Sequence, residues 1–191
     1  MNKPLVVQRK VAVLVANGFI ERDLTRIQQY MLPLGADLRI VSMDHGLVNS
    51  WDGTGWGLNF AADKTLNTAL AADFSMLVIP GGRRSVEKLK LTAHTRRFIG
   101  GFLESGKPVV ALNDSLDLLV HAEKLSGMRV AGPQELREMA IAAGADWSDE
   151  ETAVCDNLMT GILDDTTAEP FLSVLSAFLI EMEDHQEAVA A

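Results

Sequence analysis

Three adjacent polar residues, Asn113, Asp114 and Ser115, stand where a short apolar segment gives way to a helical pattern. Functional groups of α/β proteins often lie at such a junction, and an amide, a carboxylate and a hydroxyl are available here. Asp114 is a candidate acid or base. At a helix N-terminus it would also cap free N–H groups, which lowers the pKa of the carboxyl and weakens it as a general base. Structural capping and catalysis remain alternatives.

Other polar residues near this junction do not define a reaction by themselves. Ser115 has no histidine close in sequence, and His121 lies two turns further along the helix, so a Ser–His pair is unsupported. Arg83 and Arg84 follow a Pro-Gly-Gly turn and are candidates for binding an anionic ligand or for surface salt bridges. The four histidines are not spaced as metal ligands, so the sequence predicts neither a metal site nor a cofactor.

The elements that must position these groups alternate between strands and helices. β-Branched and aliphatic runs predict strands at 10–16, 37–43, 74–79, 108–112 and, as a fragment, 129–131. Helical spacing of apolar residues predicts helices over 21–34, 92–105, 113–124, 134–143 and from about 167 to 183. Segments typical of hairpins cover 46–63 and 153–160.

This alternation predicts an α/β fold, a three-layer sandwich in which helices flank a mostly parallel sheet. Ligands bind such sheets at the carboxyl ends of the strands. The loops after three predicted strands, at 17–21, 80–86 and 112–115, should therefore converge on one crevice.

Composition and charge restrict the domain count, the partners and the compartment. The 191 residues are 48% hydrophobic, so we expect one domain over 1–191, with a core at about 10–182 and flexible ends at 1–9 and 183–191. A formal charge of −9 argues against nucleic acid as a partner, and the apolar runs are too short for a membrane. No leader-like segment is evident, which predicts a cytoplasmic protein. The single cysteine, Cys155, is expected to be a small apolar group near the sheet.

Four segments in order resemble the ThiJ/PfpI superfamily: VAVLVANGF…DL, LVIPGGRRSVEKL, GKPVVAL…LLVHAEKLSGMRVAG and AGADWSDE. The resemblance spans about residues 10–182. It implies a flavodoxin-like fold related to class I glutamine amidotransferase domains, and a homodimer or larger homo-oligomer. It also implies a cysteine nucleophile at the sharp turn from strand to helix, where the helix dipole lowers the pKa of the thiol.

The turn departs from the family pattern Ala-Ile-Cys-His-Gly. Asn113 occupies the cysteine position, Asp114 the histidine position and Ser115 the glycine position. An amide has no ionisable proton and cannot be activated as a thiol is. Cys155 lies in a strand-like run about 40 residues further on, without a helix N-terminus to acidify it. The sequence therefore predicts a divergent member that lacks the nucleophilic cysteine.

Two supporting glutamates of the family are also displaced. The glutamate after the first strand falls on Ile20, with Glu21 one residue later, and the glutamate after Pro-Gly-Gly falls on Val86, with Glu87 one residue later. Because such an offset could reflect a misplaced gap, Glu21 and Glu87 remain candidates for lining the site.

Pro80-Gly81-Gly82 is the family feature most nearly intact. In the family, backbone N–H groups of this turn form part of an oxyanion hole, which implies binding of a small anionic or carbonyl ligand. The alternative is that two glycines only make a turn after a buried strand. The ligand-binding candidates are Glu21, Gly81, Gly82, Arg83, Asn113 and Asp114.

Three functions follow, in order of preference. The first is a binding, regulatory or structural protein without the family's cysteine chemistry. The second is an enzyme of altered chemistry, a hydrolase or lyase that uses Asp114 or Glu21. The third is a thiol-dependent glyoxalase, deglycase or protease, against which Asn113 argues directly.

Overall fold

A computed structural model describes the backbone of residues 10–190 and the side chains of residues 10–185 and 188. The flexibility expected of residues 1–9 lies outside this range. Seven strands form a central sheet in the spatial order β11 (Thr152–Cys155), β12 (Leu158–Gly161), β8 (Val109–Leu112), β7 (Met76–Ile79), β1 (Lys10–Val15), β3 (Asp37–Ser42) and β6 (Lys64–Thr65). Neighbouring strands are parallel, except that β11 runs antiparallel to β12.

The described residues form six α-helices beside the sheet: α1 (Glu21–Met31), α2 (Arg83–Lys90), α3 (Ala93–Glu104), α4 (Leu116–His121), α5 (Arg137–Ala142) and α6 (Ala168–Ala190). Alternate residues of the central strands enter separate hydrophobic clusters on the two faces of the sheet. Val11 and Met76 pack with side chains of α1 and α6, whereas Ala12 and Leu77 pack with side chains of α2 to α5. The sheet is thus covered on both faces, and the predicted α/β sandwich is confirmed.

Two smaller sheets lie beside the central one. Strands β2 (Phe19–Ile20), β4 (Leu47–Trp51) and β5 (Trp56–Ala61) form the first, in which β4 and β5 are antiparallel. Strands β9 (Arg129–Val130) and β10 (Asp146–Trp147) form the second. The hairpins predicted over 46–63 and near 153–160 are confirmed as β4–β5 and β11–β12.

The helices differ from the predicted elements in three places. Helix α2 occupies most of the predicted loop at 80–86, although its sequence offers only two buried apolar residues, Val86 and Leu89. Helix α4 covers only Leu116–His121 of the predicted 113–124, because a 3-10 turn occupies Asn113–Ser115 and another turn begins at residue 122. Helix α6 continues to Ala190, past the point near Glu183 where fraying was expected.

Within residues 10–190, no helix combines the length and the apolar character needed to cross a bilayer.

Candidate functional site

The carboxyl ends of β8, β7 and β1 lie side by side, so the turns that follow these strands meet at one edge of the sheet. The Ile20 N–H donates to the Gly81 carbonyl oxygen at 2.8 Å, and the Gly82 N–H donates to Asp114 Oδ1 at 2.6 Å. The Ala16 N–H donates to Ser85 Oγ at 2.8 Å. The convergence of these three loops is therefore confirmed.

Asn113 keeps the sharp backbone turn at the end of β8. Its φ is +54°, in the left-handed region that asparagine tolerates better than most side chains do. The 3-10 turn over Asn113–Ser115 then leads directly into α4. The chain thus has the strand–turn–helix geometry of a nucleophile position but an amide at its apex.

The Asn113 amide connects three segments of the chain. Its Nδ2 donates to both carboxylate oxygens of Asp23 at 3.0 Å and to the Leu163 carbonyl oxygen at 3.3 Å. In return, the Leu163 N–H donates to Asn113 Oδ1 at 2.9 Å. The two backbone groups of Leu163 fix which end of the amide is Nδ2, so Nδ2 must face Asp23. Asn113 therefore acts as a structural tie between α1, the turn and the loop after β12.

Asp23, which the sequence analysis missed, is the acid that reaches the turn. Its exposed fraction is 1%, and its Oδ2 accepts the Gly81 N–H at 2.8 Å. Burial raises the pKa of the Asp23 carboxyl to about 6, although hydrogen bonds from Gly81 and Asn113 act in the opposite direction. A signal was available, since Asp23 precedes the buried Ile27 and Met31 by four and eight residues on one helix face.

Asp114 does not cap α4, and its pKa is not lowered as a cap would lower it. No side chain caps α4, and the Asp114 carboxylate instead binds the Gly82 N–H of the neighbouring turn. Burial raises the pKa of Asp114, and the hydrogen bonds that it accepts only partly oppose this effect. The expected lowering of its pKa is therefore wrong, because loss of solvent outweighs the backbone donors.

Gly81 and Gly82 leave no room for side chains. Gly82 has a φ of +124°, and a Cβ there would lie 2.6 Å from the Gly18 carbonyl oxygen and 2.7 Å from the Phe19 Cα. A Cβ on Gly81 would lie 2.6 Å from Asp114 Oδ1. The N–H groups of both glycines already donate to carboxylates of this chain. The donors that the resemblance assigns to an oxyanion hole are thus occupied.

Ser115 and Cys155 are not placed to attack a ligand at this turn. Ser115 is fully buried, and its hydroxyl donates to the Ile79 carbonyl oxygen at 2.9 Å. Cys155 pairs with Leu158, which in turn pairs with Val109 at the start of β8. Cys155 is half-buried on the edge strand and lies at the opposite end of the sheet from the turn.

Glu21 supports the hairpin rather than the turn. Its carboxylate accepts hydrogen bonds from the Ser50 hydroxyl and, at 2.7 Å, from the Leu58 N–H. Glu21 therefore links the start of α1 to β4 and β5. Of the candidates from sequence, the structure brings together Gly81, Gly82, Asn113 and Asp114, and it places Glu21 apart from them.

A cleft opens beside the turn, between α2 and the β4–β5 hairpin, with a volume of about 830 Å³. We call it the α2–hairpin cleft. The residues that line it include Ile20, Trp51, Trp56, Arg83, Arg84, Glu87, Lys88 and Asp114. Arg83 and Arg84 belong to the first turn of α2 and not to a loop. Asp114 is the member of the polar triplet on the cleft wall, whereas Val86 is buried in the core.

Comparisons with known proteins agree with this architecture. The DJ-1/PfpI family model matches residues 9–177. General stress protein 18 of Bacillus subtilis is 29% identical over 154 residues, which cover 80% of this chain and 87% of that protein. Deglycase PfpI of Pyrococcus furiosus is 26% identical over 148 residues, covering 78% and 86%.

A solved structure gives the same result. A two-domain protein of Anabaena variabilis, which contains DJ-1/ThiJ/PfpI-like and ferritin-like domains, matches with a TM-score of 0.80 and 25% identity. The match covers 90% of this chain, which spans about half (48%) of that protein.

Proposed function

The chain belongs to the DJ-1/PfpI family, and from this membership we propose that it is a ligand-binding member without the family's cysteine chemistry. One observation carries the proposal: the Gly81 and Gly82 N–H groups, where a reacting oxygen would be held, already donate to Asp23 and Asp114. Asn113 stands between them as a hydrogen-bonded tie.

Electrostatics at the turn oppose acyl-transfer chemistry. An oxyanion stabilised by the Gly82 N–H would have to displace Asp114 Oδ1, which accepts that donor at 2.6 Å. The displaced carboxyl would remain near the new negative charge, and the buried Asp23 carboxyl lies beside it. The negative oxygen of a tetrahedral intermediate requires a positive electrostatic potential around it. Two acidic groups occupy that space instead.

The α2–hairpin cleft supports a binding role. It is large enough for a small molecule, and it combines apolar side chains with three cations, Arg83, Arg84 and Lys88. We propose that a small anionic or carbonyl ligand binds there rather than against Gly81 and Gly82. The ligand would lie beside the altered turn without reacting at it.

A second candidate function rests on Asp114. Its carboxyl lines the cleft, and burial raises its pKa above the usual value, which is the direction that favours a carboxyl as a proton donor or acceptor. A hydrolase or lyase that uses Asp114 is the enzyme this arrangement would favour. Glu21 is less suited to that role because its carboxylate holds the hairpin.

An assay with methylglyoxal tests the loss of thiol chemistry. We expect no turnover above background from the natural chain or from Cys155→Ser. We also expect little or none from Asn113→Cys combined with Asp114→His. A thiol at position 113 would face the buried Asp23 carboxyl, and the negative charge of the ionised carboxylate would raise the pKa of the thiol. The thiol also could not replace the amide contacts to Leu163.

The same assay has clear opposing outcomes. Turnover by the natural chain that Cys155→Ser abolishes would contradict the proposal, and turnover that Asp114→Asn abolishes would establish the second candidate. Activity of the double variant near that of a competent relative would show that the scaffold still supports the family's reaction. Circular dichroism of each variant supplies the control for folding.

We also propose that the chain is a cytoplasmic homodimer or larger homo-oligomer that meets its partner through the β4–β5 hairpin. Leu47 and Leu58 are about 60% exposed there, which gives the hairpin apolar surface for a second copy to cover. Sedimentation should give at least twice the mass of one chain. Leu58→Lys should reduce that mass, whereas Leu91→Lys at another exposed leucine should not. A natural chain that sediments as a monomer at every concentration would rule out this assembly.

A further inference from the structure

Arg84 is held in a fixed position by its contacts with Gly18, Trp51 and Trp56. Its side-chain stem packs on Gly18, where a Cβ would lie 2.6 Å from the Arg84 Cβ. Its guanidinium lies 4.0 Å from the centre of the Trp51 ring and 5.5 Å from that of Trp56. The two indoles are perpendicular, with centroids 5.8 Å apart, so the guanidinium occupies the corner between them. The contacts with Gly18 and the two indoles hold the Arg84 side chain in this position.

Two more cations without partners lie on the same wall. Within the described side chains, no carboxylate or carbonyl oxygen pairs with Arg83, Arg84 or Lys88. Glu87, the nearby acid, pairs with Lys90 at 3.0 Å. Arg84 and Lys88 are four residues apart on α2, where like charges repel. A chain with a net charge of −9 thus gathers three cations that form no ion pair with a described residue in one cleft, whose two acids, Glu87 and Asp114, are engaged with Lys90 and with the Gly82 N–H.

Apolar and aromatic side chains also line the cleft. Trp51 is half-buried beneath Arg84, Trp56 is more than half exposed, and Ile20 is half-buried. A guanidinium stacked on an indole uses its flat face and keeps its N–H edge free for two parallel hydrogen bonds. The cleft therefore offers a cationic fork next to an exposed ring.

We propose that the α2–hairpin cleft binds an aromatic oxyanion, a flat ring that carries a carboxylate or a phosphate. The anionic group accepts paired hydrogen bonds from Arg84 and is further neutralised by Arg83 and Lys88, while the ring packs against Trp56. This assignment rests on the proposed binding role of the cleft and specifies the chemistry of its ligand.

Calorimetric titration with four probes tests the proposal on the full chain. The probes are phthalate, adenosine 5′-monophosphate, adenosine and inorganic phosphate. We expect phthalate, adenosine 5′-monophosphate or both to bind at least about tenfold more tightly than adenosine and inorganic phosphate, because only they combine a ring with an anion. Preference for one of the two then distinguishes a carboxylate from a phosphate ligand. Tryptophan fluorescence should change on binding, since Trp51 and Trp56 line the cleft and Trp147 lies on β10.

Substitutions identify the residues responsible. Arg84→Gln should weaken binding at least about tenfold, since it removes a charged, bidentate donor. Arg96→Gln, at an exposed arginine of α3 that pairs with Glu123, should leave binding unchanged. If Arg84→Gln fails to fold by circular dichroism, Lys88→Gln and Trp56→Ala carry the test, and each should weaken binding.

Several results would overturn the assignment. If inorganic phosphate bound as tightly as the aromatic anions, the ring would not contribute to recognition. If folded Arg84→Gln bound the probes unchanged, the ligand would not bind at Arg84. If none of the four probes bound, the assignment would be wrong. None of these results bears on turnover, so the methylglyoxal assay remains an independent test of the proposed function.

Discussion

Asn113→Ala is expected to lower the free energy of unfolding by about 3 kcal/mol, the largest effect of any single change at the turn. The substitution removes the donor to the buried Asp23 carboxyl and leaves the Leu163 N–H and carbonyl oxygen without their side-chain partner. It also places alanine at a φ of +54°, which costs about 1 kcal/mol. Urea unfolding at neutral pH measures the change.

Two further variants separate the causes. Asn113→Gly loses the same hydrogen bonds without the backbone strain, so it should be about 1 kcal/mol more stable than Asn113→Ala. Asn67→Ala, at an exposed asparagine, should change stability by less than about 0.5 kcal/mol. If Asn113→Ala behaved like Asn67→Ala, the amide would not be the tie described for it.

Raising the pH from about 4.5 to about 7.5 is expected to cost about 2 kcal/mol of stability through Asp23. The pKa of this carboxyl is about 6 in the folded chain, above its ordinary value of 3.8. The folded state therefore binds the proton more tightly than the unfolded state does. The resulting stabilisation is complete below pH 3.8 and is lost as the pH rises through about 6. Asp114, whose pKa is also raised, acts in the same direction.

Comparison of variants isolates this contribution. Asp23→Asn removes the titrating group. Between about pH 4.5 and about pH 7.5, the unfolding free energy of this variant should therefore fall by about 2 kcal/mol less than that of the natural chain. Asp146→Asn, at an exposed acid on β10, should retain the natural pH dependence. Equal pH dependence in Asp23→Asn and the natural chain would show that Asp23 is not the group responsible.

The fold was predictable to the extent that burial leaves a pattern in the sequence. Strands β1, β7 and β8 are apolar almost throughout because helices cover both faces of the sheet, and such runs are visible without coordinates. Helix α2 was missed for the opposite reason. Most of its residues are charged, and it is anchored by Val86 and Leu89 and by a Ser85 hydrogen bond to another segment.

The position of the site in the fold was predictable from the sequence, but the contacts between its residues were not. The strand–turn–helix junction located Asn113 and its neighbours, since the order of elements fixes where carboxyl ends meet. The partners of these residues could not be predicted in the same way. Asp23 and Asn113 are 90 residues apart, and Leu163 is 50 residues beyond Asn113, so their contacts depend on the packing of three segments. The pKa of Asp114 likewise depends on burial that no local sequence signal describes.

The close packing of Gly81 and Gly82 has a consequence for how members of this family are recognised. Both positions exclude a side chain because backbone atoms of the neighbouring turn and the Asp114 carboxylate fill the space. In this chain the two glycines are therefore required for packing, whatever chemistry takes place at the turn. The Pro-Gly-Gly motif alone is evidence of the architecture and not of an activity.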